Sequence, residues 1–289
     1  MPEKILYFEA PDGISGDMTL GALIDLGADA GEIKHELGKF VPEPFDLAAH
    51  PFARNGIRGI NLDVIVEGDG GSNSGLSDHV HEYDFKAAET VRLGLADHVH
   101  EYQFEDRDHH HEHRRYRDIT AMIRVSGISE RAKRYALNIF SVIADAEAAV
   151  HGTCKDEVAF HEVGAMDSII DIVGTAIAVD LIGAETFFCA ALHDGSGQII
   201  CRHGLIPVPV PAVMEMAKDA RLPIIIDDDV KTEMITPTGF GIVKGLGAVF
   251  APSLGIVPEK VGYGFGKRDT GRLGAVRITL GTAYQEANR

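Results

Sequence analysis

Apolar and polar positions along the chain fall into two periods, near two and near 3.6 residues, and their order predicts a mixed α/β architecture. Residues 4–10 read as a first strand, turned by Pro11, Asp12 and Gly13. Ser15-Gly16-Asp17-Met18 then leads into a helix over 18–26, with Leu20, Leu23, Ile24 and Leu26 facing inward. A short helix over 30–39 ends before Pro42 and Pro44. Residues 45–67 are strand, folded back at the hairpin signal Asn55-Gly56, with Leu62, Val64 and Val66 alternating with Asp63, Ile65 and Glu67. Helices are expected over 119–125 and, behind Ser129 as N-cap, over 130–150. Val158, Phe160 and Glu162 alternate with Ala159, His161 and Val163 as in a short strand, which Gly164 breaks. A helix opening at Asp167 or Ser168 should run to about Gly183. Its only polar residues from 172 onward are Thr175 and Asp180, so it is expected to be buried nearly all round. Strands over 186–192, 256–262 and 274–280, and helices beginning near Pro211 and Pro237, complete an α/β or α+β domain in which a mixed sheet packs with helices.

One stretch departs from this pattern. Residues 68–117 begin with GDGGSNSG, repeat DHVHEYDF as DHVHEYQF, and end in a further histidine cluster. His79, His81, His98, His100, His109, His110, His111 and His113 fall there. Such a tract reads as a mobile insertion whose imidazoles capture Ni²⁺, Zn²⁺ or Cu²⁺ weakly at several sites; a solvated low-complexity segment is the plainer alternative. The division expected is 1–67, 68–117 and 118–289, with the outer two forming one core.

Composition narrows the function. An apolar fraction of 45% and a charged fraction of 25% are those of a globular protein, and a net charge of −17 disfavours nucleic acid and anionic membranes. Cys154, Cys189 and Cys201 are scattered, without a CxxC pair, which argues against a disulfide framework or a zinc knuckle. The opening MPEKILYFEA has no signal-peptide pattern and no stretch reaches membrane-spanning length, so a cytoplasmic location is expected.

The chemistry concentrates in FHEVGAMDSIID, residues 160–171. Asp167 and Asp171 stand four apart on one helix face, and His161 adds a borderline donor, so His161, Asp167 and Asp171 are candidate metal ligands with Glu162 beside them. The alternative is a helix start, with Asp167 as N-cap or Ser168 and Asp171 at capping-box spacing. The Ser15–Met18 turn reads either as a plain βα turn or as an anion loop, with Asp12 and Asp17 able to hold a cation or cap the helix. Thr236 before Pro237 is an N-cap that points a helix N-terminus outward, with Glu233 upstream and Thr238 inside the first turn. Cys201, Arg202 and His203 end a short strand, and His203 is a candidate ligand or proton carrier. Glycines at 262, 264 and 266 precede Lys267 and Arg268 and could let a phosphate approach, although no helix follows as a dinucleotide loop requires.

Together SGDM at 15–18, the His-rich insert, FHEVGAMDSIIDIVG at 160–174, HGLIPVPVPA at 203–212, EMITPTG at 233–239 and GYGFGKRD at 262–269 resemble, in order, the LarC family of lactate racemase maturation. The resemblance implies a nickel chelatase of the lyase class. It would insert Ni²⁺ into pyridinium-3,5-bisthiocarboxylic acid mononucleotide, forming one Ni–C and two Ni–S bonds with CTP and Mn²⁺ or Mg²⁺. It also implies lactate racemase maturation proteins as partners, and a C-terminal CTP-binding domain beyond the portion this chain resembles, so turnover is expected to need that domain. A Ni–C bond at a ring carbon requires loss of a proton, for which Glu162, His203 and Glu233 are the candidate bases. Asp12, Ser15, Asp17, Thr236, Thr238, Lys267 and Arg268 are the expected substrate contacts. Two rival readings remain: a nickel store or chaperone without chemistry of its own, and a subunit whose site is completed by the CTP-binding domain.

Overall fold

The computed structural model describes residues 3–66, 114–160, 163, 165–201 and 203–284. The eight histidines of 67–113, together with His161 and Glu162, lie outside the described residues.

Eight strands form one sheet in the order β2 (Phe45–Arg54), β3 (Ile57–Val66), β9 (Ile256–Phe265), β10 (Ala275–Ala283), β1 (Ile5–Ala10), β4 (Thr186–Asp194) and β7 (Ile224–Ile226), with β8 (Val249–Phe250) also on β4. The first and last strands of the chain are therefore neighbours. β1 runs parallel to β4 and antiparallel to β10, β9 antiparallel to β10, β3 parallel to β9, and β7 and β8 parallel to β4. It follows that β1, β3, β4, β7, β8 and β9 all point one way, and their carboxyl ends share one edge of the sheet. The pair β5 (Gln198–Cys201) and β6 (Gly204–Pro207) forms a separate hairpin.

Along β1, Leu6, Phe8 and Ala10 are sealed while Tyr7 and Glu9 are half-buried, the alternation of a sheet covered on one face. The cover is α1 (Gly16–Asp25), α2 (Ala30–Leu37) and α5 (Met166–Ile182), with α4 (Glu130–His151) and α7 (Pro237–Gly245) packed on α5, and α3 (Tyr116–Val125) and α6 (Pro211–Ala220) on α4. Helix α5 is the buried centre, as its apolar run predicts: Ile169, Ile170, Ile172, Val173, Ala176 and Val179 have at most trace exposure. Asp180, near its end, is held by Arg131 and Ser129.

Local signals place most boundaries. Ser129 caps α4 through Ala132 N–H, and Gly152 closes it at φ 64°, the left-handed conformation that glycine adopts without strain. Asn55-Gly56 is the β2–β3 turn. Of the expected strand over 158–163, the described residues show a bridge between Ala159 and Arg115, while His161 and Glu162 lie outside them. Two expectations are corrected. Residues 114–117, expected to belong to the insertion, are part of the core: α3 begins at Tyr116, while Arg114 pairs with Glu43 and Arg115 and Arg117 with Glu157. Finally, the glycines of β9 face a helix and not an anion. A Cβ on Gly264 would lie 1.8 Å from Met18 O and one on Gly262 would lie 2.2 Å from Ala22 O, so the pair lets α1 lie directly on the strand.

No described helix is long and apolar enough to cross a membrane.

Candidate functional site

The carboxyl edge of the sheet opens into a cleft of about 730 Å³. This is where α/β sheets place ligands, and the volume suits a mononucleotide-sized molecule. Its floor is set by a clamp between two turns. Ile14 N–H donates to Met234 O at 2.9 Å and Thr236 N–H to Ile14 O at 3.0 Å, which locks the start of α1 beside the start of α7. The approach is tight enough that a Cβ on Gly16 would sit 2.9 Å from Thr238 Cγ2 of α7 and 2.7 Å from Asp171 Oδ2 of α5.

Four helices begin at this cleft: α1 at Ser15–Asp17, α5 at Asp167 and Ser168, α6 at Val210 and Pro211, and α7 at Thr236–Thr238. Helix starts of this kind favour negative charge through their first-turn N–H groups and aligned dipoles. Thr236 does cap α7, its hydroxyl accepting from Gly239 N–H at 3.1 Å, with Pro237 at the first helical position. The Ser15 hydroxyl donates to the Asp17 carboxylate, which accepts Met18 N–H at 2.9 Å.

Lys267 adds a cation. It is largely buried and lies 2.9 Å from Asp63. Burial pulls its ammonium down, but the Asp63 hydrogen bond and the nearby Asp17 and Asp171 outweigh this and hold it above the usual lysine range. Arg268 lines the cleft too, with Nη1 donating to Glu233 O at 2.6 Å and Thr232 Oγ1 at 3.0 Å, so it braces the segment before α7.

Asp171 is the anomaly. It reaches the cleft from the second turn of α5, yet its Oδ1 is sealed and has no hydrogen-bond partner among the described residues. Burial, reinforced by Asp17 and Asp167 and opposed by Lys267, raises its carboxyl well above the ordinary range. The capping readings fail here. Ala165 is the N-cap of α5, Asp167 accepts from Ser168 N–H at 2.7 Å within the first turn, and Asp171 caps nothing. A carboxylate kept in so costly a place marks a functional site more often than a structural one.

Ser15, Asp17, Asp167, Asp171, His203, Glu233, Thr236, Thr238, Lys267 and Arg268 thus line one cleft, although they come from five separate stretches of sequence. Asp12 does not join them. Its Oδ2 accepts Gly274 N–H at 3.0 Å and its Oδ1 stands 4.0 Å from Arg272, which ties the first turn to the start of β10. Among the described residues no three His, Cys, Asp or Glu side chains already stand around a common metal position.

The sequence reading missed Asp194. At the end of β4 it is fully buried, and Oδ1 accepts from Gly195 N–H (2.8 Å), Met234 N–H (2.7 Å) and Ile235 N–H (3.2 Å). Burial nevertheless keeps its carboxyl above the ordinary range despite those bonds. No local motif announces it, because two of its partners are some forty residues away. Asp194→Ala would strand three buried donors at the clamp, with an expected loss of about 2–4 kcal/mol in urea denaturation. A loss below about 0.5 kcal/mol would mean that the clamp does not depend on it.

Three further residues of the cleft, Glu147, His151 and Cys201, were likewise not singled out as site residues by pattern. Glu147 and His151 lie in the last turns of α4, and Cys201 and His203 flank the β5–β6 turn.

The sequence profile of a family described as "Nickel insertion protein" matches residues 6–289. The chain is similar to the pyridinium-3,5-bisthiocarboxylic acid mononucleotide nickel insertion protein of Acetivibrio thermocellus, 42% identical over 283 residues that cover 98% of this chain and 61% of that protein. It is 46% identical over 278 residues to the protein of the same description from Lactiplantibacillus plantarum, covering 96% and 61%. A putative nickel insertion protein of Wolinella succinogenes is 39% identical over 268 residues, 92% and 57% of the two chains. The chain therefore spans about three fifths of the length of these relatives. No solved structure matches it.

Proposed function

The chain belongs to the nickel insertion protein family, and from that premise we propose that its cleft binds a pyridinium bisthiocarboxylate mononucleotide and is where that molecule receives nickel. The observation that carries the reading is the convergence of four helix N-termini with Lys267 and Arg268 on one cleft in a chain of net charge −17. Such an arrangement offers N–H groups and two cations to a compact anion bearing phosphate and thiocarboxylate groups, beside the acids Asp17, Asp167, Asp171 and Glu233 on the same walls.

The acids have a separate role. When nickel bonds to a ring carbon, the C–H proton must leave, and nickel remains divalent throughout. Asp171 holds a proton more tightly than an ordinary carboxylate, which brings its basicity closer to what proton abstraction near neutral pH requires. It is our proton acceptor, with Glu233 and His203 on the same walls as the groups that pass the proton onward. Asp17 and Asp167 would face the pyridinium charge or a hard divalent ion. CTP with Mn²⁺ or Mg²⁺ would act through a further domain, and turnover is expected when that domain is supplied in trans.

Calorimetric titration of the pyridinium mononucleotide into this chain tests the reading. Lys267→Met should weaken binding at least tenfold, about 1.4 kcal/mol, and the wild-type affinity should fall as salt rises. Binding that ignores both changes would remove the anion site from this cleft.

A further inference from the structure

The cleft is electrically two-ended. Four helices start on it, whereas α4 finishes on it, its last turns contributing Glu147, Val150 and His151. The negative end of a 22-residue helix favours a cation where the other walls favour an anion. Facing that helix end is the β5–β6 hairpin, whose turn gathers Cys201 and His203. His203 Nδ1 lies 3.7 Å from Cys201 Sγ, and the ring centres of His203 and His151 are 4.9 Å apart. Glu147 Oε2 stands 3.3 Å from His151 Nε2. A carboxylate on one imidazole nitrogen is the common outer partner of a metal-bound histidine, and it leaves Nδ1 as the donor.

These spacings are close to those one metal ion imposes. With metal–sulfur bonds of about 2.3 Å and metal–nitrogen bonds of about 2.0–2.1 Å, a sulfur and a nitrogen on a tetrahedral ion stand roughly 3.6 Å apart, and two imidazole centres roughly 5 Å. Among the described residues no three donors surround one point, so the site requires the His151 and His203 rings to turn towards Cys201 on binding.

We propose that Cys201, His203 and His151 form a Ni²⁺ entry site on the cleft wall, where the ion is held before it passes to the substrate. The proposal rests on the reading of the cleft given above and adds to it the place from which nickel comes. Thiolate and imidazole suit this borderline ion better than the aspartates opposite, which suit hard ions. Binding releases the Cys201 thiol proton to solvent. Transfer then breaks the Ni–S bond to Cys201 as a thiocarboxylate sulfur of the substrate forms its own, and nickel stays divalent, so no oxidant or reductant is required.

Titrating the metal-free chain with Ni²⁺ alone, and in parallel with Co²⁺, tests the site without substrate. The readout is thiolate-to-metal charge-transfer absorption in the near ultraviolet, which histidine-only binding cannot produce. The band should level off at the intensity of a single Cys201-bound ion per chain, whatever further ions the histidines of 68–117 take up. Cys201→Ser should abolish the band, and His203→Ala and His151→Ala should each raise the half-saturating metal concentration at least tenfold. Cys154→Ser, at an exposed position, should leave it unchanged, and Cys189 is buried with its thiol pushed up to about 12, which keeps it from binding metal. Circular dichroism establishes that each variant is folded. Absence of the band in the wild type, or its survival in Cys201→Ser, would overturn the proposal. A Cys201-dependent band in a chain that fails to bind the mononucleotide would instead overturn the substrate reading and leave the metal site standing.

Discussion

Asp171→Asn is expected to stabilise the folded chain at neutral pH by about 1–2 kcal/mol, because folding wild type must return to Asp171 a proton that the unfolded chain has released, whereas the amide carries no such cost. Nickel insertion, assayed with the further domain supplied, should nevertheless fall by at least a hundredfold, since an amide cannot accept the proton. The sign of the stability effect follows from linkage. The folded carboxyl holds its proton to higher pH than the unfolded one. Below about pH 4, the ordinary carboxylate range, both states are protonated and wild type and variant should differ little. As pH rises from there towards the raised folded value, the unfolded chain releases a proton that the folded chain keeps, so wild type loses stability and the non-titrating variant does not. Urea denaturation at pH 4 and pH 7.5 reads the divergence. Parallel curves would show that no costly charge is buried at Asp171, and the proton-acceptor role would fall with it.

Gly239→Ala should cost about 3 kcal/mol or more and disable the cleft with it. The new Cβ would lie 2.2 Å from Ile14 O and 2.8 Å from Ser15 N, both backbone atoms with no flexible end to yield. The start of α7 would be forced from the start of α1, breaking the Ile14–Met234 and Thr236–Ile14 hydrogen bonds that hold the floor. Gly152→Ala is the matched comparison. It has open space and only a φ of 64° to resist, so about 1 kcal/mol is expected. Equal losses in the two variants, measured by thermal unfolding, would mean that the clamp is looser than its spacing implies.

Much of the candidate site was legible as single residues and almost none of it as a site. The Thr236-Pro237 start of α7 is a statement about neighbours, since the cap hydroxyl and the N–H it accepts are three residues apart. The acids of α5 were visible because they interrupt an apolar run. By contrast, Asp194 looked like any strand-end acid until Met234 and Ile235 were brought to it. Asp12 looked as good as Asp17, yet one is tied to Gly274 while the other faces the cleft. The glycines beside Lys267 read as an approach for a phosphate, and only the position of α1 showed that Gly262 and Gly264 serve close packing.

What the sequence determined by itself is whatever depends on contacts a few residues long: the helix caps, the Asn55-Gly56 turn, the burial of α5 and the alternation of β1. Family membership belongs with these, because ordered motifs are themselves linear. Tertiary structure decided which ends meet. The pairing of Ile14 with Ile235, of Asp63 with Lys267 and of His151 with His203 joins residues far apart in the chain. It also decided the proton affinity of Asp171, which is a property of excluded water and of neighbouring charges on other elements. The physical reason is common to all of these. Hydrogen bonding and rotamer preference act locally and are written in adjacent residues, whereas desolvation and charge proximity exist only once separate segments have closed around the same volume.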